Sequence, residues 1–317
     1  MAVLGRPATL AIVIPFYKLC FFEQLLDAIE NQTNKSFRVY IGDDKSPEDP
    51  YPLIESFSDK FDISYHRFTE RLGHVSLASH WNRCLKLIGS EPWVWVLPDD
   101  DLPSLNCVEE LVKALDSGRD QGINIFTLPL RGLDEGGRIT EFNSCFQDSP
   151  DNLTFYKRQL SGEQVGSTLG DNIFRREALM ESGGFVDFPK AWGSDHATVI
   201  RAAKGARISC LTNTYFLFRS SGVNISSQND DGGVKMKARL LFADWLRENA
   251  SLFPRNPDRD FWKFFYWKSE FYAMNVWSPN IEVIWYLVRL RWFCMRSLNI
   301  FSILKLLFMS KKSKVAA

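Results

Sequence analysis

Trp93-Val94-Trp95-Val96-Leu97-Pro98-Asp99-Asp100-Asp101 is a short apolar run that ends in three consecutive carboxylates. A run of that composition reads as a strand buried on both faces. Its end is a costly place for three like charges, which repel one another strongly wherever water is scarce. Two readings are open: an exposed acidic turn in which Asp101 caps the following helix, or a site that gathers a cation. The flanking sequence weighs between them.

Upstream, Leu10-Ala11-Ile12-Val13-Ile14-Pro15 is a second continuous apolar run, read as a parallel strand. Residues 22–32 place Phe22, Leu25, Leu26 and Ile29 at helical spacing, and 37–42 form another strand ending in Asp43-Asp44. A short helix over 51–57 and a strand over 62–67 follow. The stretch 75–88 sets Leu77, Trp81, Leu85 and Ile88 on one side of a helix, and 107–115 is the next helix. Alternating strands and helices with short connections predict an α/β fold, a mostly parallel sheet flanked by helices. Ligands of such sheets bind beyond the carboxyl ends of the strands. Asp43-Asp44 and Asp99-Asp100-Asp101 both fall at such ends, which favours the cation reading.

Downstream the pattern loosens. After 123–128 come Gly132, Gly136 and Gly137, a hairpin over 138–145 and a polar loop through Pro150 and Asp151. Residues 166–170 are small, 177–181 make a short helix, and Gly183-Gly184-Phe185 ends it. Trp192-Gly193-Ser194-Asp195-His196 opens a helix to about residue 204, with Ser194 or Asp195 near its N-cap, and strands follow over 207–211 and 215–219. From residue 234 the chain turns to aromatic-rich helices. The expected division is therefore 1–230 and a helical region 231–317.

Residues 281–309 are strongly apolar but contain Arg289, Arg291, Arg296 and Lys305, and the tail adds Lys311, Lys312 and Lys314. Each such charge costs about 2.5 kcal/mol or more at a bilayer centre, so an interfacial helix on an anionic membrane surface is expected rather than a spanning one. A helix packed on protein is the alternative. Lys+Arg and Asp+Glu balance at 38 each, so no global charge steers the chain toward nucleic acid. The six cysteines, at 20, 84, 107, 145, 210 and 294, include no Cys-x-x-Cys pair, which fits a reducing compartment. The apolar stretch near the N-terminus is too short for a signal-peptide core. The chain contains neither a P-loop nor a G-x-G-x-x-G after the first strand, and its four histidines show no zinc-ligand spacing.

Taken in order, four landmarks resemble the family 2 glycosyltransferases of the GT-A, Rossmann-like fold: Ile12-Val13-Ile14-Pro15-Phe16-Tyr17, Ile41-Gly42-Asp43-Asp44-Lys45-Ser46, Leu97 to Asp101, and Gly183-Gly184-Phe185 followed by Trp192-Gly193-Ser194-Asp195. Arg71-Leu72-Gly73 through Trp81-Asn82-Arg83 resembles a segment of one subgroup, and the likeness extends over about residues 8 to 226. The resemblance implies a nucleotide-diphosphate sugar as donor, with Asp43 and Asp44 at its uracil or ribose and Pro15, Phe16 and Tyr17 shaping the base pocket. It sets Arg71 by the nucleotide, and Arg219 by the phosphates. Asp99-Asp100-Asp101 corresponds to the D-x-D-like motif, with Asp100 and Asp101 on Mg²⁺ or Mn²⁺ and Asp99 and Asp100 toward the donor. Pro98 stands where the family is often acidic.

Asp195 aligns with the family's catalytic base, preceded by Ser194 where the family usually has an acidic residue. A carboxylate there suits the chemistry, because a sugar hydroxyl is a poor nucleophile until its proton is taken. The expectation is an inverting, metal-dependent glycosyltransferase acting on a glycan or lipid-linked acceptor in surface-polysaccharide synthesis, peripheral on the cytoplasmic face of the membrane. A nucleotidyltransferase that makes the activated sugar and a non-catalytic glycan-binding protein are the alternatives.

Overall fold

Six of the seven residues of β1 (Leu10–Phe16) are buried, Pro15 being half-buried, and the sheet is built outward from this strand. In the computed structural model, which describes residues 8–134, 136–141, 146–161, 168–220, 232–275 and 281–295, β1 pairs in parallel with β2 (Phe37–Asp43) on one side and β4 (Trp93–Val96) on the other. β3 (Ile63–Arg67) extends the sheet beyond β2. Beyond β4 the order continues through β9 (Asn172–Arg175), β6 (Ile123–Thr127) and β10 (Arg207–Cys210). β9 runs antiparallel to both of its neighbours, so the sheet is mostly parallel with one reversed strand. That strand was not legible in the sequence, being four residues long with Arg175 at its end.

The period of two along β1 divides the core. Leu10, Ile12, Ile14 and Phe16 pack against α1 (Phe22–Glu30), α2 (Tyr51–Ser56) and α4 (Cys107–Asp116). Ala11 and Val13 face α3 (Leu77–Cys84), α6 (Arg176–Glu181) and α7 (Ser194–Ala202). Each fully buried Leu, Ile or Phe contributes about 1.5–3 kcal/mol. Trp95 keeps its polar handle satisfied by donating its indole N–H to the Gly170 carbonyl at 2.7 Å. The inward face of α3 differs from the expected one. Ala78, His80 and Cys84 are the buried side chains of the helix, and Leu85 just beyond it is buried as expected, while Leu77 and Trp81 are half-buried. Small residues let this helix approach β2 closely.

A second sheet has the order β5-β11-β7-β8. β5 (Leu102–Pro103) begins directly after Asp101, β7 (Leu130–Leu133) and β8 (Ile139–Glu141) form a hairpin whose first strand lies before the expected 138–145, and β11 (Phe216–Arg219) lies between β5 and β7. Residues 142–145 and 166–167 of the expected loops lie outside the described residues. The three carboxylates thus occupy the seam where the chain leaves one sheet for the other.

The C-terminal helices α8 (Gly232–Glu248), α9 (Arg259–Asn275) and α10 (Ile281–Met295) share a core with α5 (Asn152–Ser161) and α7. Tyr156 of α5, Ala197 and Ile200 of α7, Phe242 of α8, Phe265 of α9 and Leu287 of α10 all belong to it. One face of α10, carrying Val283, Ile284, Leu287, Leu290 and Cys294, is buried on protein. The rest of the expected interfacial stretch, 296–309, lies outside the described residues. Among the described residues no helix is long and apolar enough to cross a membrane.

Candidate active site

At the carboxyl end of β4 the three aspartates have different duties. Asp99 Oδ2 accepts the backbone N–H groups of Tyr17 and Lys18, both at 2.7 Å, and so holds the turn that follows β1. Burial and the adjacent Asp100 push its carboxyl up to about 6, against the pull of those two N–H groups. Asp101 is 2% exposed, and its Oδ1 accepts the Arg219 N–H at 2.7 Å. Burial and Asp100 hold its carboxyl well above the usual range. Asp100 is half-buried, and among the described residues its carboxylate accepts no hydrogen bond from another residue. Burial raises its pKa too, while Lys18 and Arg219 draw it down.

Arg219 fastens β11 onto this motif. Its Nε donates to the Asp100 carbonyl at 2.8 Å, a terminal nitrogen donates to Gln24 Oε1 at 2.7 Å, and the guanidinium lies 4.2 Å from the Phe21 ring centre. Tyr17, held by Asp99, carries the Arg71 guanidinium 4.3 Å from its ring centre. Tyr17, Arg71, Asp99, Asp100, Asp101 and Arg219 therefore form one connected set at the carboxyl edge of the sheet.

Asp43 and Asp44 support it from β2. Asp43 accepts from the Tyr65 hydroxyl and Arg67 through Oδ2 and from the Ser46 N–H through Oδ1. Asp44 accepts the Leu72 and Gly73 N–H groups at 2.6 and 2.8 Å, which places the segment bearing Arg71, and it is ion-paired with Arg83. Both carboxylates are buried and accept from backbone and side-chain donors of this chain. Pro15 lies opposite Gly42 in the sheet. Phe16 is wholly buried with its ring 4.5 Å from that of Phe22, so its part in a base pocket is confined to the backbone, whose carbonyl accepts the Asp44 N–H.

His80 sits beside Asp44 at 3.7 Å and accepts from Arg83 Nε. Burial lowers its pKa to about 4, although Asp44 pulls the other way. The unfolded chain takes up this proton near pH 6.5 and the folded chain only near 4, so stability held by the neutral ring at pH 7 is lost as the pH falls through that window. The loss amounts to about 3 kcal/mol at most. Urea titrations at pH 7, 5.5 and 4.5 are expected to show this decline, and His80→Gln to flatten it; an equal slope in the variant would assign the decline to other groups.

Asp195 stands on the first turn of α7. The cap of that helix is Gly193, in the left-handed region at φ 90°, and no side chain caps it, so the expected capping by Ser194 or Asp195 is corrected. With Gly193 supplying the turn, Ser194 and Asp195 are helical residues. A Cβ on Gly193 would also meet the Phe242 ring at 3.3 Å. Asp195 Oδ1 accepts the His196 N–H at 2.9 Å, and the side chain is half-buried. The helix ends at Ala202, two residues before the expected end.

The structure makes no direct contact between Asp195 and the β4 carboxylates. The segment that precedes α7 is tied to α3 instead: Asn82 exchanges hydrogen bonds with the Phe185 backbone in both directions, and Ser76 donates to Asp187 at 2.8 Å. Asn82, Lys18 and Gln24 were not assigned roles from sequence. Asn82 carried a signal in its place within Trp81-Asn82-Arg83; a neutral Gln on an amphipathic helix carried none.

A metal ion bridging a diphosphate needs only one or two protein carboxylates, with water and phosphate completing the shell. The described residues offer no group of three metal-ligating side chains, but Asp100 and Asp101 fit this lighter requirement. Asp101 commits only Oδ1 to Arg219, and burial raises the proton affinity of all three carboxyls.

The profile of the family described as Glycosyl transferase family 2 matches residues 11–183, more than half of the chain. None of the curated proteins matches. Among solved structures, that of S. aureus TarS 1–349 in complex with UDP-GlcNAc has a TM-score of 0.69 at 16% identity, over 90% of this chain and 81% of that one. The mannosyltransferase PcManGT from Pyrobaculum calidifontis, in complex with GDP-Man and Mn²⁺, gives 0.54 at 18% identity over 95% of this chain and 79% of that one. GalNAc-T7 with UDP, GalNAc and Mn²⁺ gives 0.52 at 11% identity over 85% and 56%.

Proposed function

Because this chain belongs to glycosyl transferase family 2 and is a glycosyltransferase of the GT-A fold, we propose that it transfers a sugar, with inversion, from a nucleotide-diphosphate donor to a glycan or lipid-linked acceptor in surface-polysaccharide synthesis. The observation that carries this reading is the connected set running from Arg71 and Tyr17 through Asp99 to Asp100, Asp101 and Arg219. Relatives in fold bound to UDP-GlcNAc or to GDP-Man with Mn²⁺ support the donor class. Family membership disfavours the nucleotidyltransferase and binding-protein alternatives.

The Tyr17 ring and the Arg71 guanidinium offer flat faces to a nucleotide base, on a turn held by Asp99 and a segment held by Asp44. Asp100 and Asp101 would hold Mg²⁺ or Mn²⁺. When bound, that ion would stabilise the leaving diphosphate as a Lewis acid. Lys18 and Arg219 add positive charge on the same side. Asp195 takes the proton of the acceptor hydroxyl as its oxygen attacks the anomeric carbon. A single base and no covalent intermediate give inversion. Incubation with a panel of UDP- and GDP-sugars in Mn²⁺, scored by released nucleoside diphosphate, tests this. Release from at least one donor, abolished by EDTA, is expected; metal-independent release would overturn the role of Asp100 and Asp101.

The acceptor's lipid part is suggested by the outer side of the C-terminal helices. On α10, Ile281, Trp285, Arg289 and Trp292 are exposed on one stripe, with the Arg289 guanidinium 4.5 Å from the Trp285 ring centre. Phe264, Trp267 and Phe271 are exposed on α9. Tryptophan with adjacent cations suits the headgroup level of a bilayer, here the cytoplasmic face of the cell membrane. The chain is expected to float with anionic liposomes, and Trp285→Ser with Trp292→Ser to leave it in the pellet fraction; unchanged flotation would reject these residues as the anchor.

A further inference from the structure

Between the helix that carries Asp195 and the C-terminal helices lies a group of cations that the donor site does not use. The face of α8 turned toward the Trp192–His196 segment carries Lys235, Arg239 and Phe242, spaced by four and three residues and so aligned along one side of the helix. Phe242 packs by Gly193 and stacks on His196 with ring centres 6.4 Å apart. Lys235, 2% exposed, lies over Trp192 with its Nζ 4.7 Å from the ring centre. Arg239 lies over Phe265 at 4.0 Å and donates through Nε to Ser269 Oγ at 2.8 Å. Lys268 of α9 donates to the Gln159 carbonyl.

Among the described residues, neither Arg239 nor Lys268 is within ion-pair distance of a carboxylate. Burial and the neighbouring Arg239 lower the Lys268 pKa to about 8, the mark of two positive charges sharing a half-buried space. Orphaned polar atoms occur beside them. Tyr156, 1% exposed, has a buried hydroxyl that makes no well-formed hydrogen bond, although the Arg239 guanidinium lies beside it, and its ring lies 5.3 Å from that of His196. The buried His196 Nδ1 and the Ser194 hydroxyl are likewise unpartnered. Buried polar groups are normally paired, and half-buried cations are normally balanced. Both deficits occur together, one residue from Asp195.

We propose that Arg239, Lys268 and the Tyr156 hydroxyl form a subsite for a phosphate group carried by the acceptor. An acceptor seated there would present a hydroxyl to Asp195 while its anionic group neutralises the two cations. A phosphate suits the donor set better than a carboxylate. The planar fork of Arg239, the Lys268 ammonium and a hydroxyl approach from three helices, and a phosphate has oxygens to meet all three. The inference rests on Asp195 being the base, and it adds what the acceptor must carry.

The test uses inorganic phosphate as probe on the full chain in EDTA, where the metal-requiring diphosphate site is silent. Thermal melts with phosphate, with acetate and with chloride at equal ionic strength are compared. Phosphate is expected to raise the melting temperature well beyond the other two. Arg239→Gln and Lys268→Gln are each expected to weaken the phosphate response about 10- to 100-fold, with Arg239→Lys restoring part of it. Nucleoside diphosphate binding in Mn²⁺ should stay unchanged in every variant. Equal responses to phosphate and chloride would overturn the proposal, and an equal response to acetate would overturn its phosphate class. Asp195→Asn separates the two readings: if phosphate still binds but transfer is unaffected, the base assignment fails and the subsite stands.

Discussion

Asp195→Asn is expected to lower turnover by about 100- to 10,000-fold, the usual loss when a general base is removed, with donor affinity and melting temperature close to wild type. The selectivity of that loss follows from the local structure. The Asn carbonyl can still accept the His196 N–H that Oδ1 now takes at 2.9 Å, and Gly193 rather than Asp195 makes the helix cap. Only the capacity to take a proton disappears. Single-turnover rates at saturating donor, beside nucleoside diphosphate binding by calorimetry, make the measurement. Turnover near wild type would remove Asp195 as the base. A parallel fall in melting temperature would instead assign it a structural duty.

Substitutions in the β4 triplet should divide in the same manner. Asp100→Asn and Asp101→Asn are each expected to cost about 100- to 1,000-fold in turnover, the scale for losing one element of transition-state charge stabilisation, and to weaken Mn²⁺-dependent nucleotide binding. Asp99→Asn should be mild, because one carbonyl oxygen can accept both the Tyr17 and Lys18 N–H groups, as Oδ2 does now. Asp99→Ala leaves those two groups without their acceptor. That is worth about 1–3 kcal/mol each where they are buried, and it should appear as lost stability before lost metal response. Identical metal dependence in Asp100→Asn and wild type would move the ion elsewhere.

Strands of continuous apolar residues made the core of this fold legible. β1, β2 and β4 were visible because a strand buried on both faces needs no partner information to be recognised, and the acidic residues at their ends stand out by charge. β9 and β5 were not visible. Four residues, Asn172 to Arg175, and two, Leu102 and Pro103, carry no period, and their strand state is set by neighbours far away in sequence. The separate duties of Asp99, Asp100 and Asp101 were equally hidden. Three identical side chains in a row differ only in which backbone reaches them, and that is decided by the β1 turn and by β11. Arg239 and Lys268 had no role in the sequence, because nothing in their spacing says that α8 and α9 share a core with α7.

The seam between the two sheets has a consequence for how the protein comes to exist. The Asp101–Arg219 hydrogen bond joins positions 118 apart in the chain, and closing so long a segment is entropically slow compared with forming the local helices. A ribosome-bound nascent chain can complete β1, β2, β3 and β4 long before residue 219 emerges, and until then Asp101 lacks its backbone donor. The Asp101–Arg219 clasp is therefore completed late in synthesis, and a chain stalled short of β11 would carry the acidic motif without it.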